Sequence, residues 1–208
     1  KEAIRVKPDY SDAYFGIALL LDYQEDPNCE YYYLKTLEYE NDHFWANANL
    51  GSFYEKKGEY DLALKYSLKA YEINKDERLI CYNLGVIYAK LKQYDKALKY
   101  YLEEINKENP YINVFLNIGL LYKDIYKDYE KAKYYYLMGI AKDKEHINLW
   151  YNLGCLYALM HDDENAYNCL WYACIKDFNI REFLSQDPEL KEFREKTIYQ
   201  KLLQEIGG

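Results

Sequence analysis

The stretch CYNLGVIYAKLKQYDKALKYYLEE, residues 81–104, decides the fold class of this 208-residue chain. Its apolar residues recur at intervals of three and four, which is the spacing of one face of an α-helix. The polar run KLKQYD at 90–95 interrupts this spacing once and is typical of a turn. The stretch therefore predicts two helices joined by a short connection.

The same phrase recurs along the chain, anchored on a glycine at every 34 or 35 residues. The anchoring glycines are Gly16, Gly51, Gly85, Gly119 and Gly154. The small residues that follow them 12 or 13 positions later are Cys29, Ala63, Ala97, Ala132 and Ala166. Tyrosine stands three residues after four of the glycines, at Tyr54, Tyr88, Tyr122 and Tyr157. A period of this length indicates a stack of repeated supersecondary units.

The position of the glycine has a physical explanation. Residues four before, one before and three after it share its helical face, which we expect to be the packing face of the first helix. Glycine inside a helix costs about 1 kcal/mol relative to alanine, so its recurrence implies a packing requirement. We expect the glycine and the later small residue to let the two helices of each unit approach closely.

These spacings resemble the tetratricopeptide repeat family, whose W-x2-L-G-x2-Y signature stands nearly whole in WYNLGCLY at 150–157. The resemblance covers almost the entire chain. It is weakest in the first unit, where Phe15 and Leu19 replace the family's leucine and tyrosine, and Glu104 stands where the family prefers a small residue. It implies an all-α fold, a right-handed α-solenoid of helix-turn-helix repeats with a C-terminal capping helix.

The repeats set the predicted domain organisation. The five repeats are expected at about 9–43, 44–77, 78–111, 112–146 and 147–178. KEAIRVKP at 1–8 resembles the tail of a preceding repeat helix, and 179–208 is expected to form capping helices. Asp187-Pro188 provides an N-cap and first-turn signal for a final helix. Its apolar positions are Leu190, Phe193, Leu202 and Ile206.

Composition limits the classes of partner. The formal net charge of -8 disfavours binding to nucleic acid, whose phosphates an acidic surface repels. The five cysteines contain no CxxC pair, which favours a reducing, cytoplasmic compartment over a disulfide framework. No apolar run is long enough to span a bilayer, so membrane insertion is not expected. The sequence does not decide whether the chain forms a homo-oligomer, so this possibility stays open.

The resemblance implies that the first helices line a concave groove. The residue two before each glycine lies about 200° around the helix from it, so it points away from the packing face. In repeats two to five this residue is Asn49, Asn83, Asn117 and Asn152. One amide can hold both an N–H and a C=O of an extended peptide, so the sequence predicts a peptide-binding asparagine ladder. The alternative is that the amides are solvated or bonded to a neighbouring helix.

The predicted lining of this groove is apolar and aromatic, which is typical of an interaction surface. Its candidate residues are Trp45, Tyr82, Leu116, Leu120 and Tyr151. Cys155 falls on the same face but has no nearby histidine, lysine or arginine to activate it as a nucleophile. HDDE at 161–164 falls in a predicted turn, where polar residues belong. No catalytic residue, metal site or cofactor is predicted.

The sequence therefore favours a non-enzymatic protein–protein interaction module whose groove binds an extended peptide or partner segment. The basic residues with which some family members hold acidic chaperone C-termini are missing from the matching positions, which disfavours that ligand. Two other classes stay open. One is a self-assembling structural scaffold, and the other is the regulatory region of an enzyme whose catalytic domain lies outside this chain.

Overall fold

The computed structural model describes Lys7 and residues 9–207, so the predicted repeat tail at 1–8 falls almost wholly outside the described residues. The described part is all-α, which confirms the predicted fold class. None of its helices is both long and apolar enough to cross a membrane. The chain divides into two compact units, Lys1–Tyr111 and Ile112–Gly208, which are described separately below.

The first unit is built from helix pairs whose members are joined by short turns. Its helices are α1 (Ser11–Tyr23), α2 (Cys29–Tyr39), α3 (Phe44–Lys56), α4 (Tyr60–Ile73), α5 (Ile80–Lys90) and α6 (Tyr94–Ile105). Isolated helices of this length are marginal in water, so each needs the apolar face of a neighbour. The close neighbours are the partner within a pair and the first helix of the next pair.

The second unit continues with two further pairs and ends in shorter elements. Its helices are α7 (Asn113–Leu120), a π-helical turn (Leu121–Tyr126), α8 (Tyr129–Lys142), α9 (Ile147–Leu159), α10 (Asp163–Lys176), α11 (Ile180–Gln186), a 3-10 turn (Pro188–Leu190), α12 (Lys191–Arg194) and α13 (Thr197–Ile206). The last helix packs on α10, which closes the apolar core of this unit.

The turn inside each helix pair uses one residue in the left-handed backbone region. These residues, with their φ angles, are Glu25 (56°), Gly58 (77°), Lys92 (58°), Lys127 (56°) and His161 (59°). A left-handed residue is a common way to end a helix, because the following N–H groups can then bond to the last carbonyls. The other four residues carry a Cβ, so the left-handed conformation strains their backbone, whereas Gly58 has no Cβ to clash.

The anchoring glycines pack closely in repeats two to five. A methyl group added at Gly85 or Gly119 would overlap the aromatic ring of Tyr101 or Tyr136, a residue of the second helix of the same pair. The small residues predicted to share this contact are fully or almost fully buried. The prediction is wrong at Gly16, which is exposed and has no atom within 4 Å of the place of a Cβ.

Glu104 departs from the family pattern and is completely buried at the end of α6. Its Oε2 lies 3.0 Å from Nζ of Lys107, and its Oε1 accepts the backbone N–H of Tyr111 at 3.2 Å. Lys107 also donates to the carbonyl of Glu77 at 2.7 Å. The buried carboxylate therefore secures the connection that follows the third helix pair.

The predicted single final helix is instead broken. Asp187 does act as an N-cap, because its Oδ1 accepts the N–H of Glu189 at 2.9 Å. The helix it starts ends at Arg194, however, and Lys196 is extended before α13 begins. Nζ of Lys196 lies 2.5 Å from Asp163 of α10, which holds this break against the preceding repeat. The predicted apolar positions are all buried, namely Leu190, Phe193, Leu202 and Ile206.

Candidate functional site

The two asparagines of the first unit are half-buried and already bonded within the protein. Nδ2 of Asn49 donates to the Tyr33 hydroxyl at 3.1 Å, and Nδ2 of Asn83 lies 3.5 Å from Oγ of Ser52. Each contact joins a first helix to the preceding repeat. Each uses one of the two amide hydrogens, so the side chains have hydrogen-bonding capacity left for a ligand.

The amides of the second unit differ from one another. Asn152 donates from Nδ2 to the carbonyl of Asn148 at 2.8 Å, one turn earlier in its own helix. Asn117 is half-buried on α7 and, like the other three asparagines, already interacts with other groups of the protein. A side chain bonded to its own helix must first release that carbonyl before it can bind a peptide with the same hydrogen.

A depression lies on the predicted face of the first unit, between α3 and α5. It has a volume of about 200 Å³ and is lined by Ser52, Glu55, Tyr82, Asn83, Val86 and Ile87. Trp45, at the start of α3, is 49% exposed and packs edge-on against Phe44 with ring centroids 4.9 Å apart. This unit therefore presents amide, hydroxyl and aromatic groups on the face predicted from the sequence.

The corresponding face of the second unit is partly covered by the chain itself. Leu116 and Leu120 are half-buried on α7. The hydroxyl of Tyr151 donates to Oδ2 of Asp187 at 2.6 Å, and Sγ of Cys155 lies 3.7 Å from the same oxygen. Cys155 is only 1% exposed, so the expectation that it lies open on a groove is wrong.

The contact between Lys123 and Glu189 was not predicted. Lys123 is only 3% exposed, and its Nζ donates to the Glu189 carboxylate and lies 3.5 Å from Asp124. Burial alone lowers the pKa of Lys123, but the hydrogen bond and charge of Glu189, with Asp124, outweigh it and leave the pKa raised. A buried lysine of this kind stays charged because it has acidic partners.

One sequence signal accompanies this lysine. The interval from glycine to small residue is 13 in the fourth repeat, from Gly119 to Ala132, and 12 in the repeats on either side. The structure accommodates the longer interval with the π-helical turn Leu121–Tyr126, in which Lys123 lies. Such turns are frequent at functional sites, so the extra residue could have directed attention to this lysine.

The other chemistry-bearing residues make ordinary structural contacts. Within the HDDE run, Asp162 caps α10 by accepting the N–H of Asn165 at 3.3 Å. His43 caps α3 by accepting the N–H of Ala46 at 3.2 Å. Burial, with the charges of Asp187 and Glu189, raises the pKa of the Cys155 thiol well above its ordinary value, which leaves it a poor nucleophile.

Acidic groups approach His43 closely enough to suggest a metal site. Ligand atoms of Asp12, Glu40 and His43 all lie within 4.8 Å of one another. Glu40, however, accepts the Ser11 hydroxyl at 2.7 Å, and Nδ1 of His43 is used by the helix cap. These contacts account for the cluster without an ion.

Comparisons with known proteins agree with this geometry. Models of the tetratricopeptide repeat match residues 46–77 and 79–108. These two segments are tetratricopeptide repeats. No curated protein sequence is significantly similar to it. Repeats of this family are generally non-catalytic and mediate contacts between proteins, so the chain is a protein–protein interaction module.

Solved structures of other proteins share the fold of this chain. YrrB, described as a TPR protein with an unusual peptide-binding site, is 23% identical over 85% of this chain and 91% of its own, with a TM-score of 0.69. MamA is 18% identical over 80% and 97%, with a TM-score of 0.72. PilF of Pseudomonas aeruginosa is 18% identical over 94% and 97%, with a TM-score of 0.68.

Proposed function

We propose that the chain is a non-enzymatic module that binds an extended segment of a partner protein along the first-helix faces of its repeats. The observation that carries the proposal is the depression between α3 and α5, where Tyr82, Asn83 and Ser52 converge. A shallow site with aromatic, apolar and amide groups suits a peptide, because it offers both hydrogen bonds to the backbone and contacts to side chains.

The polar part of the proposed site is the asparagine pair of the first unit. The contact from Asn83 to Ser52 is 3.5 Å long, at the weak limit of a hydrogen bond, so exchanging it for a peptide carbonyl costs little. Asn49 keeps its bond to Tyr33 and has an amide oxygen to offer to a peptide N–H. Each new bond contributes about 0.5–1.5 kcal/mol of net binding free energy.

The apolar part consists of Trp45 and Tyr82. Trp45 is half exposed at the start of α3, and Tyr82 forms one wall of the depression. Tryptophan and tyrosine dominate the energetics of many interfaces, because they bury a large rigid area and still make polar contacts. YrrB is described as having a peptide-binding site, which is in line with this use of the fold.

In the second unit the proposal assigns the same role to Asn117, Leu116 and Leu120. Asn152 and Tyr151 belong to the predicted site as well, but each now bonds within the unit, to Asn148 and Asp187 respectively. A partner would have to exchange those bonds. We therefore expect the first unit to contribute most of the binding.

The test uses selected peptides, since no ligand is known. A display library of unstructured peptides is panned against the wild-type chain, and the enriched peptides are titrated by calorimetry. Asn49→Ala combined with Asn83→Ala should weaken their binding by about 1–3 kcal/mol, at 0.5–1.5 kcal/mol per hydrogen bond. The matched control is Asn168→Ala, because Asn168 is an exposed asparagine on a second helix, α10. If the selected peptides bind the double variant as tightly as the wild type, the proposed site is wrong.

A second candidate, self-assembly, is favoured by the surface of α1. Leu20 and Tyr23 are 58% and 90% exposed there, beside the exposed Gly16. Contiguous exposed apolar residues often mark a contact between proteins. Light scattering over a dilution series separates the candidates, because a scaffold gives an oligomer that Leu20→Lys disrupts, whereas a peptide-binding monomer keeps its mass in both forms.

A further inference from the structure

The segment Asp187–Leu190 lies across a part of α9 that the sequence predicts to be open. Its 3-10 turn packs on α9, and one carboxylate oxygen of Asp187 meets both the Tyr151 hydroxyl, at 2.6 Å, and Sγ of Cys155, at 3.7 Å. Tyr151 and Cys155 occupy the positions three before and one after Gly154. The first-helix face of this repeat thus holds a carboxylate that comes from the chain itself.

A second carboxylate of the same segment, that of Glu189, binds elsewhere, and we call the two places where these carboxylates bind the first seat (Tyr151 and Cys155) and the second seat (Lys123). Glu189 accepts from Nζ of Lys123, whose side chain is 4% exposed and lies near Asp124. The Glu189 side chain is 28% exposed, but solvent screens the buried Lys123 charge less than a surface charge, so this position favours an acidic ligand. The two seats bind residues two positions apart, which specifies the pattern Asp-x-Glu.

The site also contains a polar group that the segment does not use. The Tyr136 hydroxyl is buried and has no hydrogen-bond partner among the described residues. The Tyr136 ring packs against Gly119 of α7, two residues before the π-helical turn that carries Lys123. A buried hydroxyl without an acceptor is unusual in a native protein.

The segment is attached in a way that allows local release. Asp187 and the 3-10 turn Pro188–Leu190 join α11 to α12, and Leu190 shares one apolar core with Tyr199 and Leu202 of α13. A short turn opens at a lower free energy than the longer helices beside it, because fewer hydrogen bonds and contacts hold it. Leu190 is fully buried, however, so a competing ligand must replace an apolar side chain as well as the two acids.

We propose that Lys123, Tyr151 and Cys155 form a binding site for an acidic partner peptide of the pattern Asp-x-Glu-Leu, and that Asp187–Leu190 occupies it in cis as an autoinhibitory ligand. This deepens the proposed function by adding a second, regulated partner site, and it involves no residue of the first unit. A tethered ligand competes at an effective concentration in the millimolar range, so a free partner binds weakly until the segment is released.

The test uses a fluorescein-labelled synthetic peptide with the sequence of residues 183–192, FLSQDPELKE. The full chain with Asp187→Asn and Glu189→Gln should bind this peptide at least about tenfold more tightly than wild type, because its own segment loses two charge-assisted hydrogen bonds. Adding Lys123→Met to that variant should abolish the gain. A peptide with asparagine and glutamine in place of the two acids should not bind.

Two outcomes overturn the proposal. One is a folded double variant, shown by its helical circular dichroism, that does not bind the peptide. The other is binding that is indifferent to Lys123→Met or to the acids of the peptide. If the double variant fails to fold, hydrogen exchange of the wild type decides the matter. Excess peptide should then speed exchange in residues 180–194 and leave α13 unchanged, and an unaffected 180–194 segment identifies a purely structural cap. This experiment uses none of the asparagine variants of the first unit. Failure of the inhibitory-segment proposal is therefore distinguishable from failure of the proposed peptide site in the first unit.

Discussion

Replacing Gly85 or Gly16 with alanine should change stability in opposite directions, although both residues lie inside first helices of the same unit. An added Cβ at Gly85 would lie 3.0 Å from Cγ of Tyr101, with two other ring carbons nearer still. Favourable carbon–carbon contacts are about 3.5–4.0 Å, so the ring must move by more than 0.5 Å. Tyr101 is 2% exposed and has little free space to move into.

The expected magnitudes follow from two opposing terms. Overpacking a close-packed site costs about 1–3 kcal/mol. Alanine recovers about 0.5–1 kcal/mol through its higher helix propensity. Gly85→Ala should therefore lower the free energy of unfolding by up to about 2.5 kcal/mol. Gly16→Ala meets no atom within 4 Å, so only the propensity remains and the variant should gain about 0.5–1 kcal/mol.

Urea titration followed by far-ultraviolet circular dichroism measures both changes on one scale. The gap between the two variants should be about 1–3 kcal/mol, the cost of overpacking, because both variants gain the same helix propensity. A Gly85→Ala protein as stable as Gly16→Ala would refute the argument that the glycine is there to admit the Tyr101 ring. Gly85→Ala combined with Tyr101→Ala is the informative control, because removing the ring should remove the clash and make the two substitutions non-additive.

Three further outcomes are expected. Glu104→Ala should cost about 1.5–3 kcal/mol in urea titration, because it removes the buried ion-pair partner of Lys107 and the acceptor of the Tyr111 N–H, and a neutral result would contradict that role. The five buried thiols should react with Ellman's reagent at pH 8 only after denaturation. Burial raises the pKa of Cys169, for example, to about 12, so the reactive thiolate is scarce in the folded protein. Rapid labelling of the native protein would contradict this burial. The side-chain and backbone hydrogen bonds from Lys131 lower the pKa of Asp128 in the folded protein. The ionised Asp128 therefore stabilises the fold above its ordinary pKa of 3.8, and this contribution is lost as the pH falls through the lower pKa of the folded state. Asp128→Asn should accordingly flatten the acid side of the melting-temperature profile, and an unchanged profile would speak against the Lys131 contact.

Much of the fold was predictable because its determinants are local. The interval between glycines and the three-and-four spacing of apolar residues indicate paired helices without any knowledge of distant contacts. The same angular argument identified the first-helix face on which Tyr82 and Asn83 border the depression. The polar runs indicated the turns, where Lys92 and His161 take the left-handed conformation.

The contents of that face were not predictable from spacing. Nothing in the position of Asn152 relative to Gly154 distinguishes an amide that meets a ligand from one that bonds to Asn148. Gly16 matches the other anchoring glycines in sequence and yet has no neighbour, because its surroundings depend on what packs beside the first helix. Angular position limits where a side chain points, but contacts with other segments decide what it meets.

The sequence by itself determined that the chain forms repeated helix pairs, with a buried glycine and alanine seam in repeats two to five, because helical periodicity acts over a few residues. Only the tertiary structure decided that Asp187 and Glu189 reach Tyr151 and Lys123, across 36 and 66 residues. Those contacts depend on how the C-terminal segment folds back onto α9 and the π-helical turn. The physical reason is that burial of a charge and its partner is a property of packing between distant segments, which no local pattern encodes.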